Sequence, residues 1–458
     1  MKWLKTLWDR LSTLLKPRQR HDTPRPRPGQ EDPMSPHTPK QRPWTVMVYM
    51  AGDNGKIFDT QHGKLRLMAE MTSAGYRDLA EMGSVGTTEN LALVCLFDTQ
   101  EKTYLIEVRR GQGFDDSLVR PVREVNTGAP DTLREFIVRS ITAYPADHYA
   151  LVVWNHGTGW LDVDAYAVVR AFDEGVSHRP IFRTTPRKLA AGETTRPIAY
   201  DDSSKDFLDT QDLRQALSEA QTVTGARLDV IGMDACLMAM VEGARELAPF
   251  TDYFVASQEV EPMAGWPYQP ITAALDGQPP LPPAALADTI VTEFAKSFGG
   301  ATRAEQTVTQ SAVALANTAE TEALCKRLVD AILASPTATL LRLARCARDK
   351  TLVFQDRNYR DLGDFAAKLA DETEWDNFPE VTAAAAVLRD HLRARGDTAP
   401  VRVVGFLPTY ERATGMSVYL PASLPATQRA ETLGIYRRLK FAQATGWDRL
   451  VAWLMGEF

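Results

Sequence analysis

A thiol and an imidazole, each at the end of an apolar run, are the side chains of this chain best placed to do chemistry together. Tyr149, Ala150, Leu151, Val152 and Val153 lead through Trp154 and Asn155 to His156 and Gly157. Leu228, Val230, Ile231 and Met233 lead in the same way through Asp234 and Ala235 to Cys236. Apolar runs of this length, followed by Gly or small residues, read as buried parallel strands. Ligands of open α/β sheets bind outside the carboxyl ends of the strands. Two such strands would carry His156 and Cys236 to one edge as a nucleophile and its base, the pairing of a cysteine hydrolase. The residues from Leu237 to Leu247 are mostly helix formers with one apolar face. A helix starting there would set the thiol near the positive end of a dipole and favour thiolate. Taken singly, a cysteine at a strand end is commonly a small core residue, and a histidine there is commonly structural. Their joint placement is what suggests catalysis.

The residues around both positions resemble the clostripain (C11) family of cysteine peptidases, in the caspase-like, gingipain-like clan. The resemblance runs from Trp44 onward. It rests on residues 44–51 as a first strand with Asp53 and Asn54 after it, and on Trp154-Asn155-His156-Gly157-Thr158-Gly159-Trp160. It continues through Tyr200-Asp201-Asp202, Met233-Asp234-Ala235-Cys236-Leu237-Met238, Ala256-Ser257-Gln258-Glu259 and Gly265-Trp266-Pro267-Tyr268. The resemblance implies an α/β, caspase-like (caspase-hemoglobinase) sandwich with a mainly parallel central sheet. It also implies His156 as general base, Cys236 as nucleophile, and the N–H groups of Gly157 and Cys236 as the oxyanion hole. Many such enzymes cut after Arg or Lys and line the primary specificity pocket with acids. Asp234 fills one acidic position, but Ala264 stands where another acid commonly precedes the Gly-Trp-Pro-Tyr segment. Glu259 and Glu261 are close enough in sequence to substitute. The competing reading of Asp234 is an N-cap for the helix expected after it.

The chain of 458 residues is long enough for a large core and a subdomain. The expected organisation is an amphipathic helix at 1–16, a disordered Pro-rich basic linker at 17–43, a catalytic core at 44–270, and a C-terminal α/β subdomain at 271–458. Helices are expected over 284–298, 318–333, 360–370 and 381–395, with late strands at 401–406 and 415–421. The four cysteines show no paired or metal-ligand spacing, and Cys95 sits in an apolar run as a core residue. That usage suits a reducing compartment. No cofactor is implied. Some relatives respond to Ca²⁺, and residues 201–206 are acidic, but they lack the central Gly and final Glu of a calcium loop. A solvated turn is the simpler reading there.

The first 43 residues carry ten Lys/Arg and four Asp/Glu, a net +6 against −7 for the whole chain. Trp3, Leu4, Leu7, Trp8, Leu11, Leu14 and Leu15 fall at helical spacing with charges between them. The segment does not read as a secretory signal and is too short and charged to span a bilayer. It suits docking on an anionic membrane surface or in a protein partner's groove, or packing on its own domain. The globular part is too acidic for nucleic acid. The expected location is the cytoplasm, peripheral to the membrane if the arm docks there. Residues 173–197 form an irregular exposed loop between the two key segments. Some relatives mature by a cut in this region, which makes Arg183, Arg187 and Lys188 candidate self-cleavage sites and the uncut chain a zymogen. The sequence reading is a cysteine endopeptidase acting on protein or peptide substrates. Its rival is a protease-like effector or scaffold of a bacterial stress or defence system, regulated through the N-terminal helix.

Overall fold

The computed structural model describes residues 40–53, 56–59, 66–99, 101–155, 157, 198–201, 206–299, 308–371, 377–406 and 408–457. The expected 1–16 helix, most of the 17–43 linker, His156, and the 173–197 loop with Arg183, Arg187 and Lys188 lie outside the described residues.

Nine strands form the central sheet: β1 (Arg42–Ala51), β2 (Leu91–Asp98), β3 (Thr103–Glu107), β4 (Leu118–Pro121), β5 (Ala146–Trp154), β6 (Leu228–Asp234), β7 (Thr251–Ala256), β8 (Thr309–Ala314) and β9 (Val401–Phe406). Their order across the sheet is β9-β8-β7-β6-β5-β1-β2-β3-β4. The five strands from β7 to β2 run parallel. Antiparallel strands extend the sheet on both sides. The parallel strands are apolar over most of their length because both of their faces are covered. In β1, Met47, Tyr49 and Ala51 enter one core while Val46, Val48 and Met50 enter the other. This is the period of two expected of a strand buried on both sides.

Helices cover both faces. Helix α1 (Met71–Gly83) precedes β2, α2 (Pro130–Ala143) precedes β5, and α3 (Thr210–Thr224) precedes β6. Asp209 caps α3 in a reciprocal capping box with Asp212, and Gly225 ends it in the left-handed conformation. Next come α4 (Val241–Leu247), α5 (Tyr268–Leu275) and α6 (Pro283–Phe298). Helices α1, α5 and α6 fill one core, and α2, α3 and α4 the other.

The chain beyond residue 270 does more than brace the sheet from outside, because it supplies β8 and β9. Its remaining elements, α7 (Thr318–Leu333), α8 (Ala338–Lys350), α9 (Leu362–Ala370), α10 (Pro379–Arg393) and three short helices near the end, join the core that holds α2 and α3. Tyr359–Asp361 and Ser417–Tyr419 pair as a separate antiparallel ribbon. No described helix is long and apolar enough to cross a membrane.

Candidate active site

Parallel pairing fixes which residues meet at the carboxyl edge. Asp234 of β6 is in register with Trp154 of β5, and Trp154 with Met50 of β1. Asn155 follows Trp154, is buried, donates its backbone N–H to the Asp234 carbonyl at 3.3 Å, and donates its side-chain amide to the Ala51 carbonyl. Gly157 stands against the segment that carries the thiol. A Cβ on it would overlap the Cys236 carbonyl oxygen and come 2.9 Å from Met238 Cγ and Sδ. Only glycine permits that approach. His156 itself lies outside the described residues.

The residues after Cys236 do not continue as a helix. Residues 235–240 form a turn, and α4 starts at Val241 with Met240 as its N-cap. The cause is tertiary: Leu237 N–H donates to the Glu259 carbonyl at 3.1 Å and Ala239 N–H to the Ser257 carbonyl at 2.8 Å. These bonds replace the helical ladder and hold Leu237 at φ +62°, an unusual conformation for a branched side chain. The thiol is therefore not at a helix N-terminus, and a helix dipole does not act on it. Asp234 does not cap the helix either.

Cys236 is 5% exposed. The Glu261 N–H donates to its Sγ at 3.2 Å, and the Glu261 carbonyl lies 3.8 Å from the same sulfur. Burial pushes the thiol up to about 12, and the N–H groups of Glu261 and Gly157 oppose that rise. Both amides donate toward the sulfur and favour its thiolate form.

Beside the thiol lies a small pocket open to solvent, lined by Asp78, Trp154, Asp234, Cys236, Glu261 and Gly265 among others. Asp234 Oδ2 accepts the Tyr268 hydroxyl at 2.8 Å and the Trp266 N–H at 3.3 Å. The Asp234 and Glu261 carboxyls lie close enough for the charge of one to act on the other. Burial, then the Asp234 charge, holds Glu261 well above the ordinary range. Asp78, on α1, accepts the Trp154 indole N–H at 2.7 Å and is 3% exposed. Burial, then the Asp234 charge, holds Asp78 well above the usual carboxylate range.

Of the residues singled out in the sequence, the structure brings Asp234, Glu261, Gly157 and Cys236 together. Glu259 does not line the pocket. Its carboxylate accepts the Gln355 N–H at 3.1 and 3.2 Å and the Tyr410 hydroxyl. Ala264 is exposed. Asp78 was not singled out, although a signal exists: it sits in the stripe Met71, Ala74, Gly75, Asp78, Leu79, Met82, where a helix buries its apolar face. Elsewhere, Asp53, Asp98 and Glu124 bring carboxylate oxygens within 4.8 Å of one another and could hold a metal ion. The Asp98 oxygens also accept the Thr103 and Thr127 hydroxyls.

A buried thiol at the carboxyl edge of a mainly parallel sheet, beside a pocket of acids, defines an α/β protein of the cysteine-peptidase kind. The chain belongs to the clostripain family, peptidase C11, whose family model matches residues 68–179 and 187–387. Clostripain of Hathewaya histolytica is 25% identical over an alignment of 265 residues, and the match covers 51% of this chain and 42% of clostripain. The match thus spans less than half the length of that relative. Among solved structures, a secreted C11 cysteine protease from Bacteroides thetaiotaomicron in complex with an irreversible peptide inhibitor superposes with a TM-score of 0.58 at 19% identity, covering 89% of this chain and 99% of that one. An inactive zymogen C11 protease from Parabacteroides distasonis gives a TM-score of 0.58 at 20% identity, with the same coverage. At such identities the likeness is one of fold.

Proposed function

We propose that this chain is a cysteine endopeptidase that cuts peptide bonds after Arg or Lys. The observation that carries the proposal is the pocket next to Cys236, which Asp78, Asp234 and Glu261 line and which, among the described residues, no Lys or Arg side chain lines. Buried carboxylates without a cation are costly, by roughly several kcal/mol each. A basic side chain entering the pocket would remove that cost.

In this reading the Cys236 sulfur attacks the scissile carbonyl carbon, and a C–S bond forms as the carbonyl electrons move to oxygen. The N–H groups of Gly157 and Cys236 receive the oxyanion. His156 takes the thiol proton and returns it to the leaving amine, then activates water against the thioester so that acid and free enzyme result. The role of His156 rests on family membership and on its neighbours in the chain, since Asn155 bonds Asp234 and Gly157 abuts Cys236. Self-cleavage at Arg183, Arg187 or Lys188 would fit the same basic preference.

The test is a fluorogenic peptide series varied only at P1, run on wild type, Cys236→Ala and His156→Ala. Turnover of Arg and Lys peptides that both variants lack supports the reading. Turnover confined to uncharged P1 residues refutes the specificity. Intact masses of wild type and Cys236→Ala after incubation test self-cleavage, and identical single-chain spectra would refute it.

A further inference from the structure

We infer that Asp78 is a specificity-determining residue, the second charge partner for a basic P1 side chain, supplied by helix α1 on the far side of the pocket from Asp234. The inference rests on the basic preference proposed above and names the residue that completes it.

The geometry centres on Gly265. It has φ +65°, and a Cβ built on it would lie 3.4 Å from Asp78 Oδ2 and 3.4 Å from Asp234 Oδ2. The two oxygens are therefore within about 7 Å of each other across one glycine, and the missing side chain leaves the space between them open. A guanidinium presents donors on two edges of one plane and can meet both carboxylates at once. Asp78, Asp234 and Glu261 do not form a set whose oxygens all lie within 4.8 Å of one another, as the Asp53 group does. Their arrangement suits an elongated organic cation better than a metal ion.

A second observation sets Asp78 apart from an ordinary buried acceptor. An acceptor for the Trp154 indole is needed, but a neutral side chain would serve without the cost of burying a charge. The adjacent cation, Arg77, turns outward and donates to the Met263 carbonyl at 3.0 Å, with no ion pair to Asp78. Asp234 and then Glu81 add negative charge around Asp78, and Arg77 offsets part of it. Glu261 Oε2 is likewise buried with no hydrogen-bond partner. The pocket is thus built with more acid than its own residues neutralise. Asp78 supplies charge to the pocket from a different element than Asp234.

The test compares wild type, Asp78→Asn and Asp78→Glu on peptides with Arg, Lys or citrulline at P1, citrulline being the uncharged analogue of Arg. Asn keeps an acceptor for Trp154 and removes only the charge. Asp78→Asn should lower the Arg-to-citrulline ratio of kcat/KM at least tenfold, chiefly through KM. Alkylation of Cys236 by iodoacetamide, which needs no P1 side chain, should stay within twofold. Asp78→Glu advances the carboxylate by one methylene and should shift preference from Arg toward the shorter Lys at least threefold. If Asp78→Asn does not fold, that Lys-to-Arg ratio decides alone. A wild type that prefers basic P1, with both ratios unchanged in the variants, overturns the role of Asp78 and leaves the basic preference standing. A wild type that prefers citrulline overturns both.

Discussion

Replacing Tyr268 by Phe removes one oxygen atom and one hydrogen bond from the pocket. The Tyr268 hydroxyl donates to Asp234 Oδ2 at 2.8 Å, and the ring is 3% exposed. Burial, then the charges of Asp234 and Asp78, holds the phenol well above its usual range, so it remains a donor across the working pH range. A hydrogen bond to a charged acceptor contributes about 1.5–3 kcal/mol, and 1.36 kcal/mol corresponds to one pKa unit. Loss of the donor should therefore raise the Asp234 carboxyl further. The Trp266 N–H, at 3.3 Å, remains to limit the rise. A protonated Asp234 holds a cation less well, so the pH dependence of 1/KM for an Arg peptide should move to higher pH by about one unit or more. At high pH the wild-type and variant curves should converge. The assay is KM for one Arg peptide between pH 5 and 9 on both proteins. Superimposed profiles from two folded proteins would refute the charge-pairing role of Asp234. A uniform loss at every pH would attribute the effect to packing.

Three further outcomes follow from the same geometry. Gly157→Ala should lower kcat by about 10²–10³ while the protein still folds, because a Cβ there displaces the Cys236 carbonyl and disturbs the oxyanion donors; steady-state kinetics beside a melting curve check it. Stability should fall as pH rises above the ordinary carboxylate range, because Asp78 and Glu261 are held well above it. In that window the folded state binds more protons than the unfolded state, which gives unfolding free energy a negative slope with pH. Urea midpoints between pH 5 and 8 measure the slope, which Asp78→Asn should reduce. Asp361→Ala should destabilise by about 3 kcal/mol or more, because it strands buried donors on Thr414, Asp364 and Gln258; urea unfolding reads this directly.

Strands β5 and β6 were legible in the sequence because burial on both faces makes a strand apolar over most of its length, and Cys236 was legible as the residue at such a strand's end. The turn after Cys236 was not. Its residues have helical composition, and what overrides them are contacts to Ser257, Glu259 and, through the Ala239 carbonyl, Ser417 at 2.8 Å, all distant in sequence. Asp78 was passed over despite its place in an apolar stripe. One acid on a helix reads as a solvated face, and only the packing of α1 against Trp154 turns it inward. The placement of β9 in the central sheet depends on pairing with β8, which local pattern does not encode. Glu259 shows the limit of proximity in sequence: two residues from Glu261, it faces Gln355 and Tyr410 instead of the pocket.

The pairing of β5 with β6 has a consequence for any cut made between them. Residues 158–197 join two strands that are direct neighbours in the sheet, paired from Ala150 with Val230 through Trp154 with Asp234. Severing the chain there would divide the protein into two polypeptides that share one sheet and one interior, so neither piece could leave without opening both cores. The nicked molecule would migrate as one particle in a sizing column and as two bands in denaturant. Its unfolding would become a dissociation, with a midpoint that rises with protein concentration. Once unfolded and diluted, it would recover activity at a rate set by the meeting of two chains.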